Sequence, residues 1–232
     1  MMSRQSTSIS ISRQVISLLL LLACSVSAQG QKMKLFKLVE DSVPMMRGFQ
    51  VSFDLFGFGL LQLSDYGQYE GAFRLNLHDQ WFPIVEVGYG KADHPVDDVT
   101  GIAYKTAAPY FRAGMDFNML KNKHGDNRLY AGFRYAYTSY KVDLWRQNFP
   151  DPVWQWDTGF GVRDLACSQH WLEAVVGIDA KVFGPLHLGW SVRYKRRVAH
   201  DEGILGKTWY VPGYGLWGDT RLGGTFNVIV DI

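Results

Sequence analysis

The stretch that most constrains the fold is residues 169–198, QHWLEAVVGIDAKVFGPLHLGWSVRYKRRV, in which two alternating runs meet at Gly184-Pro185. Before the turn Leu172, Ala174, Val176, Ile178, Ala180 and Val182 share one parity, while Glu173, Gly177, Asp179 and Lys181 share the other. Beyond it Leu186, Leu188, Trp190, Val192 and Tyr194 oppose His187, Gly189, Ser191, Arg193 and Lys195. A period of two belongs to a strand whose faces meet different surroundings. The stretch therefore predicts a long β-hairpin with one apolar face.

The same alternation recurs at 49–63, 68–77, 81–91, 109–119, 128–142 and 220–232. With the hairpin these make eight strands, and no helical period interrupts them. HDQ, KNKHGDN and Gly184-Pro185 are short connectors, whereas 92–108, 143–168 and 199–219 are long; only LSDYGQ, after the first strand, breaks the alternation of lengths. An up-and-down antiparallel sheet removes its edges by closing. Short turns on one rim and long loops on the other are the asymmetry of outer-membrane barrels, with turns in the periplasm and loops outside. The expected fold is all-β, an eight-stranded antiparallel up-and-down transmembrane β-barrel.

Charge placement decides which face points outward. No charge stands in the middle of an apolar face; Lys91, Lys141, Asp143 and Arg196 sit at strand ends. Lipid imposes such exclusion, since a charge at the midplane of the lipid face costs about 2–4 kcal/mol. The other face carries both signs among glycines, and Glu70, Arg74, Glu86, Arg112, Asp116, Arg134, Glu173, Asp179, Arg193 and Arg221 are expected to form an ion-pair network there. Eight strands leave an interior only wide enough for side chains, so the lumen should be closed. A soluble lipocalin-like periplasmic carrier, with the faces reversed, is the competing reading. Trp145, Trp154, Trp156, Trp209 and Trp217 fall at the long-loop end, as an interfacial girdle with loop packing or as a surface for a glycan or protein ligand.

Residues 1–28 read as a secretory signal: Arg4 and Arg13, the apolar run from Val15 to Leu22, then Val26-Ser27-Ala28 before the cut. Residues 29–47 form a periplasmic leader and 48–232 the barrel domain. A competing cut before Cys24 would leave a lipoprotein. Cleavage after Ala28 removes the two arginines that account for the formal net charge of +2. A neutral mature chain offers no electrostatic footprint for nucleic acid. Cys167 is then left without a disulfide partner. No metal motif and no cofactor fingerprint is present, and the glycines of VPGYGLWG follow no strand-to-helix pattern that would cradle phosphate. The expected partner is outer-membrane lipid, around a monomer.

One constellation could carry chemistry. Ser168 and His170, two apart at the top of the sixth strand, share the lipid-facing parity with Asp143 at the top of the fifth. A hydroxyl, an imidazole and an orienting carboxylate at that depth could cleave a lipid ester. The alternative function is thus a lipid-modifying outer-membrane hydrolase of the lipid A deacylase kind. The leading one is a non-enzymatic barrel with a structural or binding role through its loops.

The segments GFQVSFDLFG, TWYVPGYG and TFNVIVDI, with the signal and strand pattern, make the chain resemble the small outer-membrane β-barrels of Gram-negative bacteria, the eight-stranded ones especially. More narrowly, it looks like a family of Bacteroides-type outer-membrane barrels, a resemblance that implies no activity. It departs from such barrels at the C-terminus, where Ile232 stands in place of the common terminal aromatic.

Overall fold

The computed structural model describes residues 43–97, 100–146, 153 and 159–232. The signal segment, Cys24, most of the leader, Trp154 and Trp156 lie outside the described residues. The elements in order are β1 (Met46–Asp54), α1 (Leu55–Leu63), β2 (Tyr66–Leu77), β3 (Trp81–His94), β4 (Ile102–Asn118), β5 (Arg128–Arg146), β6 (Phe160–Phe183) and β7 (Leu186–Asp201). A 3-10 turn (Gly203–Leu205), the two-residue strands β8 (Tyr210–Val211) and β9 (Gly215–Leu216), and β10 (Thr220–Asp231) complete the chain. Eight strands close into an antiparallel barrel in the order β1-β10-β7-β6-β5-β4-β3-β2, while β8 and β9 pair only with each other. Each barrel strand thus neighbours the next one in the chain, and the β8–β9 ribbon belongs to the connection between β7 and β10.

Alternation produces the two surfaces directly. Val85, Phe111, Phe133, Val176, Trp190 and Leu222 are exposed on the outside, and Glu86, Arg112, Arg134, Glu173 and Arg193 are buried inside. An exterior of this composition around a charged interior is the reverse of a lipocalin-like carrier.

Three expectations need correction. The first predicted strand, 49–63, stops at Asp54, and its second half is the helix α1. The Asp54 carboxylate explains the break: it caps the helix by accepting from Phe56 N at 3.0 Å and Gly57 N at 3.1 Å, and it accepts from Phe226 N of β10 at 3.1 Å. The helix then lies directly on β2, where a Cβ on Gly67 would come within 2.4 Å of Leu61 N. Second, the strands run farther toward the loop rim than the apolar pattern does, so that Trp145 is a strand residue of β5. Hydrogen bonding between β4 and β5 continues to the Ile102–Arg146 pair, beyond the apolar belt that alternation detects. Third, Met46 and Arg47, placed in the leader, open β1.

Candidate functional site

The charged interior is built from the inward parity of six strands, β2 to β7. Arg112 of β4 contacts Glu70 Oε2 at 2.5 Å, Glu86 Oε2 at 3.1 Å and Glu173 Oε1 at 3.0 Å. Arg193 of β7 reaches across the lumen to Glu86 of β3 at 2.7 Å and to Glu70 of β2 at 3.2 Å. Arg134 of β5 holds both oxygens of Asp116, at 2.6 and 2.9 Å, and Glu86 at 3.2 Å. Arg74 of β2 spans to Asp179 of β6 at 2.6 Å and also meets Asp116 at 3.0 Å, with its guanidinium 4.7 Å from the Tyr130 ring centroid. Planar guanidinium forks suit such shared carboxylates better than point-charge ammoniums would. The cavity among Glu70, Arg74, Glu86, Tyr130, Arg134 and Arg193 measures about 10 Å³, on the order of the space for a single water.

Arg221 does not join these pairs, although its parity placed it there. It lies near the loop rim, where its guanidinium donates to the carbonyls of Leu216, at 2.7 Å, and Trp217.

Above the charges sits a plug that alternation alone did not reveal. The segment Tyr210-Val211-Pro212-Gly213-Tyr214 is buried within the mouth of the barrel. Tyr210 donates to Gly67 O at 3.1 Å and its carbonyl accepts from Tyr104 at 2.6 Å, while Gly213 O accepts from Arg112 at 2.8 Å and Lys195 at 2.7 Å. Gly213 has φ +79°, and a Cβ there would lie 2.5 Å from the Tyr110 ring. Only glycine suits both the backbone and the contact. Tyr110 in turn donates to Glu70 at 2.7 Å, and Trp171, fully buried, donates to Glu173 at 2.7 Å. The sequence signal was present: two inward aromatics, and a Pro-Gly turn inside an aromatic-rich connector. Trp209 packs over the rim with its ring 4.7 Å from that of His94 and 5.8 Å from that of Tyr66; Lys207 lies 4.4 Å from the Trp217 ring.

The short-turn rim has its own latch. Asp79, in the β2–β3 turn, accepts from Asn76 at 2.7 Å and pairs with His124 Nδ1 at 2.8 Å and with Arg47. Burial pushes the Asp79 carboxyl up, but the bonds from His124, Asn76 and Arg47 outweigh it and hold the group below the usual carboxylate range.

Ser168, His170 and Asp143 do not come together. His170 Nδ1 lies 2.7 Å from the Tyr135 hydroxyl and its ring 4.6 Å from that of Tyr137. Asp143 instead accepts from Asp164 N at 2.8 Å, at a register shift between β5 and β6. Asp164 precedes Ser168 by four residues, roughly 13 Å along a strand. The parity argument failed because that irregularity carries Asp143 away from the ladder position it was assigned.

A family model described as a domain of unknown function matches residues 11–231. The chain belongs to the DUF6048 family. No curated protein matches it. Among solved structures, this DUF6048 chain is similar to Neisserial surface protein A at 14% identity, covering 81% of this chain and 99% of that one with a TM-score of 0.43. It is also similar to Ail, the attachment invasion locus protein of Yersinia pestis, at 11% identity, 80% and 99% coverage and a TM-score of 0.41. A third is CarO of Acinetobacter baumannii, at 11% identity, 82% and 98% coverage and a TM-score of 0.36.

Proposed function

We propose that this protein is a monomeric outer-membrane barrel of a Gram-negative bacterium of the Bacteroides type, exported by residues 1–28 with the cut after Ala28. It performs no chemistry and serves as a rigid, sealed scaffold that presents its loop-bearing rim outward to a glycan or protein ligand. The observation that carries the reading is the pairing of an apolar exterior with an interior crossed by a layer of charges, Glu70, Arg74, Glu86, Arg134 and Arg193, that leaves among them room for about one water. A passage for solutes would require an open lumen, and a soluble carrier would require the opposite faces. The engagement of His170 with Tyr135 and of Asp143 with the Asp164 amide, in place of a Ser168–His170–Asp143 chain, counts against the hydrolytic reading.

The test is membrane fractionation followed by electrophoresis with and without boiling. The expected result is recovery with the outer membrane and a faster-migrating folded band that disappears on boiling. Recovery in the soluble periplasm would overturn the membrane reading. A change in lipid A mass on expression, abolished by His170→Ala, would overturn the non-enzymatic one.

A further inference from the structure

The barrel wall has an incomplete seam. Pairing of β1 with β10 ends at Asp54 and Asn227, and pairing of β1 with β2 ends at Phe53 and Gly71. Yet β10 extends back to Thr220 and β2 to Tyr66, so residues 220–226 and 66–70 border one strand each, with α1 lying across the interval. Backbone edges alternate along a strand. Phe226 turns its N–H to Asp54 at 3.1 Å, so Gly224 and Leu222 turn the same edge toward the gap. Among the described residues, neither backbone group has a partner on that side. Unpaired strand edge at membrane depth is tolerated only where it is buried in protein or lines a cavity.

Such a cavity exists. It has a volume of about 350 Å³ and runs inward beneath α1 to the plug, with Phe56, Leu60, Leu216 and Leu222 along it. Its lip stands on the apolar exterior, where Leu222 is 76% and Phe56 51% exposed. Two cations line it, Lys195 and Arg221. Lys195 donates to the carbonyls of Gly213 and Tyr214, at 2.7 and 3.2 Å, and Arg221 to those of Leu216 and Trp217. Carbonyls satisfy hydrogen bonds without cancelling charge. The carboxylate across the ladder from Lys195, Glu173, is engaged by Arg112 and Trp171, and no described carboxylate forms an ion pair with Lys195 or Arg221.

We propose that this lateral cleft binds one anionic, phosphate-bearing lipid from the surrounding leaflet, its phosphate drawn to Lys195 and Arg221 and an acyl chain lying along α1. Charge complementarity selects the headgroup, and the sideways mouth selects a lipid over a water-borne anion. The inference rests on the membrane reading above, whose own failure would show as a soluble, non-heat-modifiable protein.

The test uses the full chain purified in detergent and native mass spectrometry with dimyristoyl phosphatidylglycerol, dimyristoyl phosphatidylcholine or inorganic phosphate added. The expected result is retention of one phosphatidylglycerol, no comparable retention of phosphatidylcholine, and no displacement by phosphate. Losing a charge-assisted contact should weaken that retention about tenfold in Lys195→Gln or Arg221→Gln, and Leu222→Trp, which obstructs the mouth, should do likewise. Equal retention of both lipids would overturn the proposal, as would displacement by free phosphate or unchanged retention in all three variants. The wild-type comparison decides even where a variant does not fold, because folding is read separately from heat-modifiable migration.

Discussion

At the scale of single residues, the interior charges are worth most for what happens when one is lost. Arg134 is 1% exposed and shares Asp116 with Arg74 and Glu86 with Arg112 and Arg193. Arg134→Ala leaves two buried carboxylates under-compensated, although each keeps another guanidinium. The expected loss is about 3 kcal/mol, at the low end for breaking a buried pair, measured as a lower urea midpoint of the folded band. Asp79 gives a different signature. Its carboxyl is held below its ordinary value, so its contribution is present above the unfolded pKa of about 4 and disappears as pH falls through the lower folded value. Limited proteolysis of the β2–β3 turn should accelerate in that acid window. Asp79→Asn should remove the pH dependence, and because Asp79 has φ +54°, asparagine suits the backbone there.

At the scale of elements, α1 depends on one carboxylate with three bonds. Asp54→Ala removes the cap and strands Phe226 N, with an expected destabilisation of about 1–2 kcal/mol. Hydrogen exchange should rise in 55–63 and in the β10 segment that borders the gap, while β5 and β6 stay protected. This element also shows where the sequence was legible and where it was not. Val176, Trp190 and Phe133 could be assigned outward, and Glu173, Arg193 and Arg134 inward, because a strand buried between two unlike media writes its faces into alternate positions. LFGFGLLQL has one polar residue, Gln62, too few to set a period that distinguishes strand from helix. The informative residue was Asp54, an N-cap type just before the run. Arg221 and Asp143 failed for another reason: parity holds within the belt, while their partners are set by the β9 connection and by the shift between β5 and β6. The plug was hidden because a loop folded inward leaves no repeat in the sequence.

For the whole molecule, two barriers in series seal the axis, the Tyr210–Tyr214 plug and the guanidinium–carboxylate layers below it. Planar bilayer recording should show no stable conductance from the intact protein. Replacing residues 207–217 with a Gly-Ser linker should leave conductance absent, since the lower barrier has room for about one water. A steady channel in the linker variant would mean that the plug alone closes the lumen.

The bonds from Arg193 to Glu86 and from Arg74 to Asp179 join strands on opposite walls rather than neighbours in the sheet. Neither can form while the strands lie open as a ribbon. In an open sheet Glu86 keeps only its neighbouring-strand partner Arg112 and Arg193 only Glu173, so the cross-lumen share of the compensation arrives when the two ends of the sheet meet. Closure of the sheet, and not pairing of one strand with the next, is what completes the interior.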